Sequence, residues 1–209
     1  MRVDHAVELV LETLRKRKKW KDTVILITSD HGEAFYEHGR MGHNTTLYDE
    51  MLRVPFILRI PEGHPITEIN MEQMVSLADI VPTLLGLVSA KPESYVSGIN
   101  ILLSGRSRPD DMNRFLIARS GSDIAPYFSC RTWRWKIIIK DARYQELYDL
   151  ENDPRETRNI LHLRPDIFAG LLNLLYKEIS RKQPDLFSVE KARMSKEEES
   201  MLKSLGYLK

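Results

Sequence analysis

The run Thr23-Val-Ile-Leu-Ile27, followed at once by Thr28-Ser-Asp-His-Gly-Glu33, narrows the fold more than any other stretch of this chain. Consecutive branched aliphatic residues suit a strand covered on both faces, the kind found in sheets with helices on each side. The glycine after it lets the backbone turn. Asp30 and His31 therefore stand together at a strand's carboxyl end, where α/β sheets place their ligands. Asp offers a hard oxygen and His a nitrogen, so the pair suits a divalent cation. Two donors do not complete a coordination shell, and the others must come from elsewhere.

Upstream, Val3, Val7, Val10, Leu11 and Leu14 recur at helical spacing and predict an amphipathic helix over 4–19. Its basic end, Arg15-Lys-Arg-Lys-Lys19, faces water and the negative end of the helix dipole. A helix feeding a buried strand is half of a βαβ unit, as though another strand preceded residue 1. At 209 residues and 42% hydrophobic, the chain suits one large domain or one and a half. A net charge of +1 gives no electrostatic reason for nucleic-acid binding. One cysteine excludes an intrachain disulfide and a Cys-based zinc site. No apolar run approaches membrane-spanning length. The charged first twenty residues are not a signal peptide, so a cytoplasmic location is expected if the chain is the whole gene product.

Residues 32–46 read as a long loop, Leu47–Leu52 as a short helix and 54–60 as a second strand with Pro55 near its start. A short strand is expected over 71–75. Ser76 then caps a helix running to Val88, with Asp79 closing a capping box. Residues 89–113 read as loop. From 115 the character changes. Strands at 115–118, 127–132, 135–139 and 145–148, with short turns between them, predict an antiparallel meander. An acidic turn over 149–158, a helix over 165–180 and a last helix over 195–205 with Gly206 as its C-cap follow. The fold class expected is α/β: a partial mixed or parallel sheet core with flanking helices over 1–108, then a smaller α+β subdomain with an antiparallel sheet over 109–209.

Chemistry concentrates on one loop. His31, His38 and His43 lie beside Asp30, Glu33, Glu37 and Arg40. Asp30 and His31 are candidate metal ligands, and His43 a candidate cation or hydrogen-bond donor to an anionic substrate. His38 stays open between a chemical part and a solvated side chain. Glu33 and Glu37 read as loop carboxylates. Trp133, Trp135, Tyr144 and Tyr148 read as packing residues of the meander, and Cys130 as a small buried hydrophobe.

Ser29-Asp-His-Gly-Glu33, Glu37-His-Gly39, Gly42-His43, Leu47-Tyr48 and Arg53-Val-Pro55 through Pro61 together resemble the second half of a sulfatase, of the alkaline-phosphatase-like superfamily. The resemblance continues through Leu77-Ala-Asp-Ile-Val-Pro-Thr-Leu-Leu85, Arg131-Thr-Trp-Arg-Trp-Lys136, Glu146-Leu-Tyr-Asp-Leu-Glu-Asn-Asp-Pro-Arg-Glu156 and Leu205-Gly-Tyr207. A lone Asp-His-Gly would be weak; the ordered set is specific.

The resemblance implies hydrolysis of sulfate esters. It makes Asp30 and His31 ligands of a divalent cation, calcium in most of the family and manganese in some relatives. Their differing hardness leaves calcium selectivity loose. His43 falls where the family places a residue that contacts sulfate oxygens or protonates the leaving oxygen. The family's nucleophile, a formylglycine made in a Cys-x-Pro/Ala-x-Arg motif, and two adjacent acidic ligands belong to the part of the pattern preceding these residues. Cys130 has the right distance to Arg134, but Thr132 replaces the Pro or Ala. The chain is thus expected to resemble a C-terminal portion without turnover of its own. Strands 23–28 and 54–60 would then lack neighbours, so self-association or pairing with a complementing N-terminal half is expected. The rival readings are a phosphonate or phosphate-ester hydrolase or phosphoglycerol transferase of the same superfamily, and a non-catalytic truncated or split-gene module.

Overall fold

The computed structural model describes residues 2–43, 46–66, 72–91, 96–102, 114–121, 126–141 and 143–182. The expected helix over 195–205 with Gly206, and residue 71 of the strand expected at 71–75, lie outside them. In chain order the elements are α1 (Arg2–Lys16), β1 (Ile25–Thr28), β2 (Ala34–Phe35), β3 (Met41–Gly42), α2 (Asp49–Leu52) and β4 (Phe56–Arg59). Then come α3 (Ile80–Leu87), β5 (Leu116–Ser120), β6 (Tyr127–Arg131), β7 (Trp135–Asp141), β8 (Tyr144–Asp149) and α4 (Pro165–Lys182). Two compact units emerge, one of residues 1–32 and 53–109, the other of 33–52 and 110–209. The second therefore takes in the loop and short helix between the first unit's two strands.

In the first unit, α1 carries Asp4 in its first turn and Arg15 and Lys16 in its last, charges matched to the helix dipole. It ends where Lys18 turns into the left-handed region at φ 57°. Trp20 is held between the guanidinium groups of Arg15 and Arg59, each 4.3 Å from the ring centre. β1 pairs with β4 antiparallel, Ile25 opposite Arg59 and Thr28 opposite Phe56. Among the described residues no parallel pair occurs. Ile25, Leu26 and Ile27 are half-buried rather than enclosed on both faces, because a two-stranded sheet gives each strand one neighbour.

Residues 72–75 form turn and extended chain, not a strand, since they meet no partner strand. The cap after them has the expected form. Ser76 Oγ accepts from the Ala78 N–H, and Asp79 Oδ2 accepts from the Ser76 N–H at 2.7 Å. A single 3-10 turn over Leu77–Asp79 leads into α3. Asp79 is fully buried, and its other oxygen accepts from the Ile99 N–H at 2.9 Å. Gly98, at φ 90°, makes this approach possible: a Cβ there would meet the Ala78 carbonyl oxygen at 2.3 Å.

The second unit has the larger core. β5, β6, β7 and β8 form an antiparallel meander in chain order. Side chains alternate across it. Phe128, Cys130, Ile137, Ile139 and Leu147 face α4, whose Phe168, Leu171, Leu175 and Ile179 recur every three or four residues. Each large apolar side chain buried there contributes about 1.5–3 kcal/mol. On the other side Ile138, Tyr148 and Leu150 pack against Leu47 and Tyr48. Trp133 departs from its expected packing role. It sits in the turn between β6 and β7, 44% exposed, while Trp135 packs at the α4 face under the guanidinium groups of Arg134 and Arg164.

The loop expected over 32–46 contains a small hairpin. β2 and β3 pair through Ala34 with Gly42 and Phe35 with Met41. Its turn has Tyr36 and Gly39 at positive φ, closed by Tyr36 N–H donating to the Arg40 carbonyl at 2.8 Å.

Candidate functional site

Asp30 and His31 follow β1 directly, so the strand sets their direction of departure. The Asp30 carboxylate accepts from the His31 backbone N–H at 3.0 Å. Its own backbone N–H, then the adjacent imidazole, hold this exposed carboxyl below its ordinary range, so it stands ready as an anion. His31 Nδ1 lies 2.8 Å from the Gly32 carbonyl oxygen, which can only accept. That contact calls for a proton on Nδ1, so in the neutral ring Nε2 carries the lone pair, the tautomer metal-binding histidines take when a carbonyl holds their other nitrogen. Nε2 is 3.9 Å from Asp30 Oδ2. An oxygen and a nitrogen donor thus stand together at the strand end, in a form a hard or borderline divalent cation accepts. Among the described residues no group of three or more His, Cys, Asp or Glu is set to hold a metal ion.

His43 follows β3 in the second unit. Its Nδ1 lies 3.4 Å from Glu33 Oε2, and its side chain is 67% exposed. Glu33 thus has a partner rather than only solvent. Glu37 turns back on its own loop, accepting from the Phe35 N–H. Cys130 is fully buried in the α4-facing core, and burial pushes its thiol up to about 12. Such a thiol does not fit a nucleophile, so Cys130 has a packing role.

His38 and the residues around it form a site that sequence reasoning left open. The ring stacks on Tyr48 at 3.7 Å between centres and 7° between planes. Nδ1 lies 2.7 Å from Glu50 Oε1, and Nε2 lies 3.0 Å from the Glu156 backbone oxygen. Beneath, the fully buried Lys136 ammonium bridges Asp49 Oδ1 at 2.8 Å and Glu156 Oε1 at 2.6 Å. Arg131 Nη1 holds Asp49 Oδ2 at 2.6 Å, and the Asp49 N–H donates to Glu156 Oε2 at 2.6 Å. Burial works against the Asp49 anion, yet Lys136 and Arg131 outweigh it and keep this carboxyl below its ordinary range. Glu156 goes the other way: burial, with Asp49 adding to it, raises it despite Lys136. Asp149 and Asp153 build the acidic turn, accepting from Arg134 and Asn152 and from Thr157 and the Arg158 N–H respectively.

The model of the Sulfatase family matches residues 1–90. The chain is 28% identical to the uncharacterised sulfatase YidJ of Escherichia coli (strain K12), over 76% of this chain and 32% of that protein. It is 27% identical to arylsulfatase K of Bos taurus, over 78% of this chain and 32% of that protein. A solved 2-O GAG sulfatase superposes with a TM-score of 0.75 at 25% identity, covering 89% of this chain and 42% of that one. Over these ranges the chain is similar to sulfatases in sequence and in fold. It spans 32% of the length of each of these two curated sulfatases. No described helix of the chain is long and apolar enough to cross a membrane.

Proposed function

We propose that this chain serves metal-dependent hydrolysis of sulfate esters, with Asp30 and His31 as cation ligands and His43 acting on the ester. The observation that carries the reading is the Asp30–His31 pair at the end of β1, with the Gly32 carbonyl setting the His31 tautomer. A divalent cation, calcium first and manganese second, supplies positive charge where a sulfate ester's transition state gathers negative charge. Asp30 contributes an anionic oxygen and His31 the Nε2 lone pair. His43, when protonated, donates toward the sulfate or the leaving oxygen, with Glu33 Oε2 3.4 Å from its Nδ1. The formylglycine chemistry and further acidic ligands of the family fall to sequence beyond these residues, since Cys130 does not fit. We also propose that residues 1–108 form part of a larger mixed-sheet core and that 109–209 form the small antiparallel subdomain.

Calorimetric titration of the chain with Ca²⁺ and with Mn²⁺ tests the ligand assignment. Weak binding, abolished in Asp30→Ala and in His31→Ala, is expected, because two donors alone hold a cation loosely. Tight stoichiometric binding that survives both substitutions would reject it. Co-expression with a polypeptide bearing the Cys-x-Pro-x-Arg motif, assayed on an aryl sulfate, tests the activity. Turnover lost in His43→Ala supports the reading, and turnover on an aryl phosphonate in preference to the sulfate would favour the phosphoryl-transfer rival.

A partner accompanies this reading. α1 has no buried residue, with Val3, Leu9 and Val10 more than half exposed, and Ile57 of β4 is 57% exposed. We propose that a second copy or a complementing half covers this surface. Light scattering at micromolar concentration is expected to give a mass above 24.3 kDa, and a clean monomer would reject self-association.

A further inference from the structure

The His38 ring has an acceptor at each nitrogen. Nδ1 faces the Glu50 carboxylate at 2.7 Å, and Nε2 faces the Glu156 backbone oxygen at 3.0 Å. A neutral imidazole has one N–H and can serve only one of them. The other nitrogen would then point a lone pair at an oxygen. An imidazolium serves both, and the Tyr48 ring lies flat against it. The side chain is 14% exposed and Glu50 is 12% exposed, so water replaces neither contact cheaply.

We propose that His38 is a pH-sensitive clasp that fastens the β2–β3 hairpin, and with it His43, to α2 and to the turn at Glu156. His38 sits in the hairpin turn, between Tyr36 at φ 74° and Gly39 at φ 68°. The turn's own bonds are few: Tyr36 N–H to the Arg40 carbonyl and Gly39 N–H to the Tyr36 carbonyl. The hairpin strands are two residues each. A strained turn on so short a ladder needs an outside anchor, and His38 reaches α2 and the turn at 156 at once.

The charges around the ring set the sign. Glu50 on α2 faces it directly, and Glu37 and Arg155 border the same pocket of about 540 Å³. Asp49 and the Glu156 carboxylate are already engaged by Lys136, and Asp49 also by Arg131, so Glu50 is the carboxylate aligned with the ring. Burial alone would lower the imidazole. The hydrogen bonds to Glu50 and to the Glu156 carbonyl outweigh it and hold His38 above its ordinary range. A histidine raised on folding stabilises fully below its unfolded value and loses that contribution as pH rises through its folded value. The clasp is therefore closed below the unfolded value of His38, and opens as pH rises through the folded one and the ring loses its proton. The effect on His43 rests on the proposed catalytic reading, whereas the clasp itself does not.

Long-range ¹H–¹⁵N correlation spectra of the ¹⁵N-histidine-labelled chain, followed by hydrogen exchange across pH 6–9, test it without any activity. Both His38 nitrogens are expected to be protonated at pH 6. Above the His38 transition, protection of the Tyr36 and Gly39 amides should fall about tenfold, the scale of one charge-assisted hydrogen bond. In Glu50→Gln the transition should move down in pH, and in His38→Gln protection should be low and flat. A singly protonated His38 ring at pH 6 would overturn the proposal. So would a hairpin whose pH profile is unchanged in Glu50→Gln, a variant that keeps the side chain's shape even where His38→Gln fails to fold.

Discussion

Helices α1 and α4 both carry apolar residues at helical spacing, yet α4 buries Phe168, Leu171, Leu175 and Ile179 while α1 buries none. The difference lies in what each helix meets. α4 packs on a four-stranded sheet whose facing side chains are Phe128, Cys130, Ile137, Ile139 and Leu147. The first unit offers a two-stranded sheet, with Asp79, Thr83, Leu87 and Ile101 as its buried residues among those described. An amphipathic pattern fixes that a helix has an apolar side; it does not fix that the same chain supplies a cover. The second unit should accordingly behave as a cooperative folding unit and the first as a locally opening one.

The substitution that strikes hardest at this contrast is Lys136→Met. It leaves the Glu156 carboxylate and one Asp49 oxygen without their buried ammonium. Removing one partner of a buried ion pair costs about 3–5 kcal/mol. Urea denaturation followed by Trp fluorescence should show that loss, and a cost below about 1 kcal/mol would mean that Arg131 alone satisfies the cluster. The pH profile should change as well. Asp49 lies below its ordinary value, so its stabilisation is present above the unfolded value and is lost as pH falls through the folded one. That acid limb should shrink in Lys136→Met. Glu156 lies above its ordinary value and acts with opposite sign, its ionised form being the one folding disfavours.

Leu175→Ala is next in size. Leu175 is fully buried at the centre of the α4–sheet core, and truncating such a leucine costs about 2–5 kcal/mol. The same denaturation curve reads it. A small effect would show that α4 repacks easily, and would weaken the contrast with α1.

In the first unit the sharpest loss should come from Asp79→Ala. The side chain satisfies the Ser76 and Ile99 N–H groups from full burial. Leaving such donors unmet costs about 1–3 kcal/mol. Hydrogen exchange at Ile99 should accelerate while the amides of β7 stay unchanged. Equal acceleration in both places would mean that the two units unfold together.

The features legible in the sequence were those set by neighbours along the chain. The Ser76–Asp79 capping box is a three-residue rule, and the meander follows from strand runs separated by short turns. The place of Asp30 and His31 after β1 was legible for the same reason. Contacts across long separations were not. Asp49 meets Lys136 across 87 residues and Glu156 across 107, and no local pattern marks a lysine inside an apolar strand as buried. The β2–β3 hairpin escaped notice because two-residue strands show no alternation and its first left-handed residue is Tyr36, not glycine. Trp133 was misplaced because alternation was carried through a turn, where it no longer holds.

The smallest expected effect falls on α1 itself. Val10 is 61% exposed, and exposed substitutions away from special features stay within about 0.5 kcal/mol. Val10→Lys should therefore leave the denaturation midpoint of the isolated chain unchanged, since the helix loses no packing and gains a residue with good helix propensity. Its effect should appear in association instead. If a second copy or complementing half covers the Val3, Leu9 and Val10 side, a charge placed there must be desolvated on binding, and the scattering mass should fall toward that of one chain. A variant whose mass is unchanged, but whose midpoint drops by more than about 1 kcal/mol, would mean that α1 is covered within its own chain in solution, and the contrast between α1 and α4 would collapse.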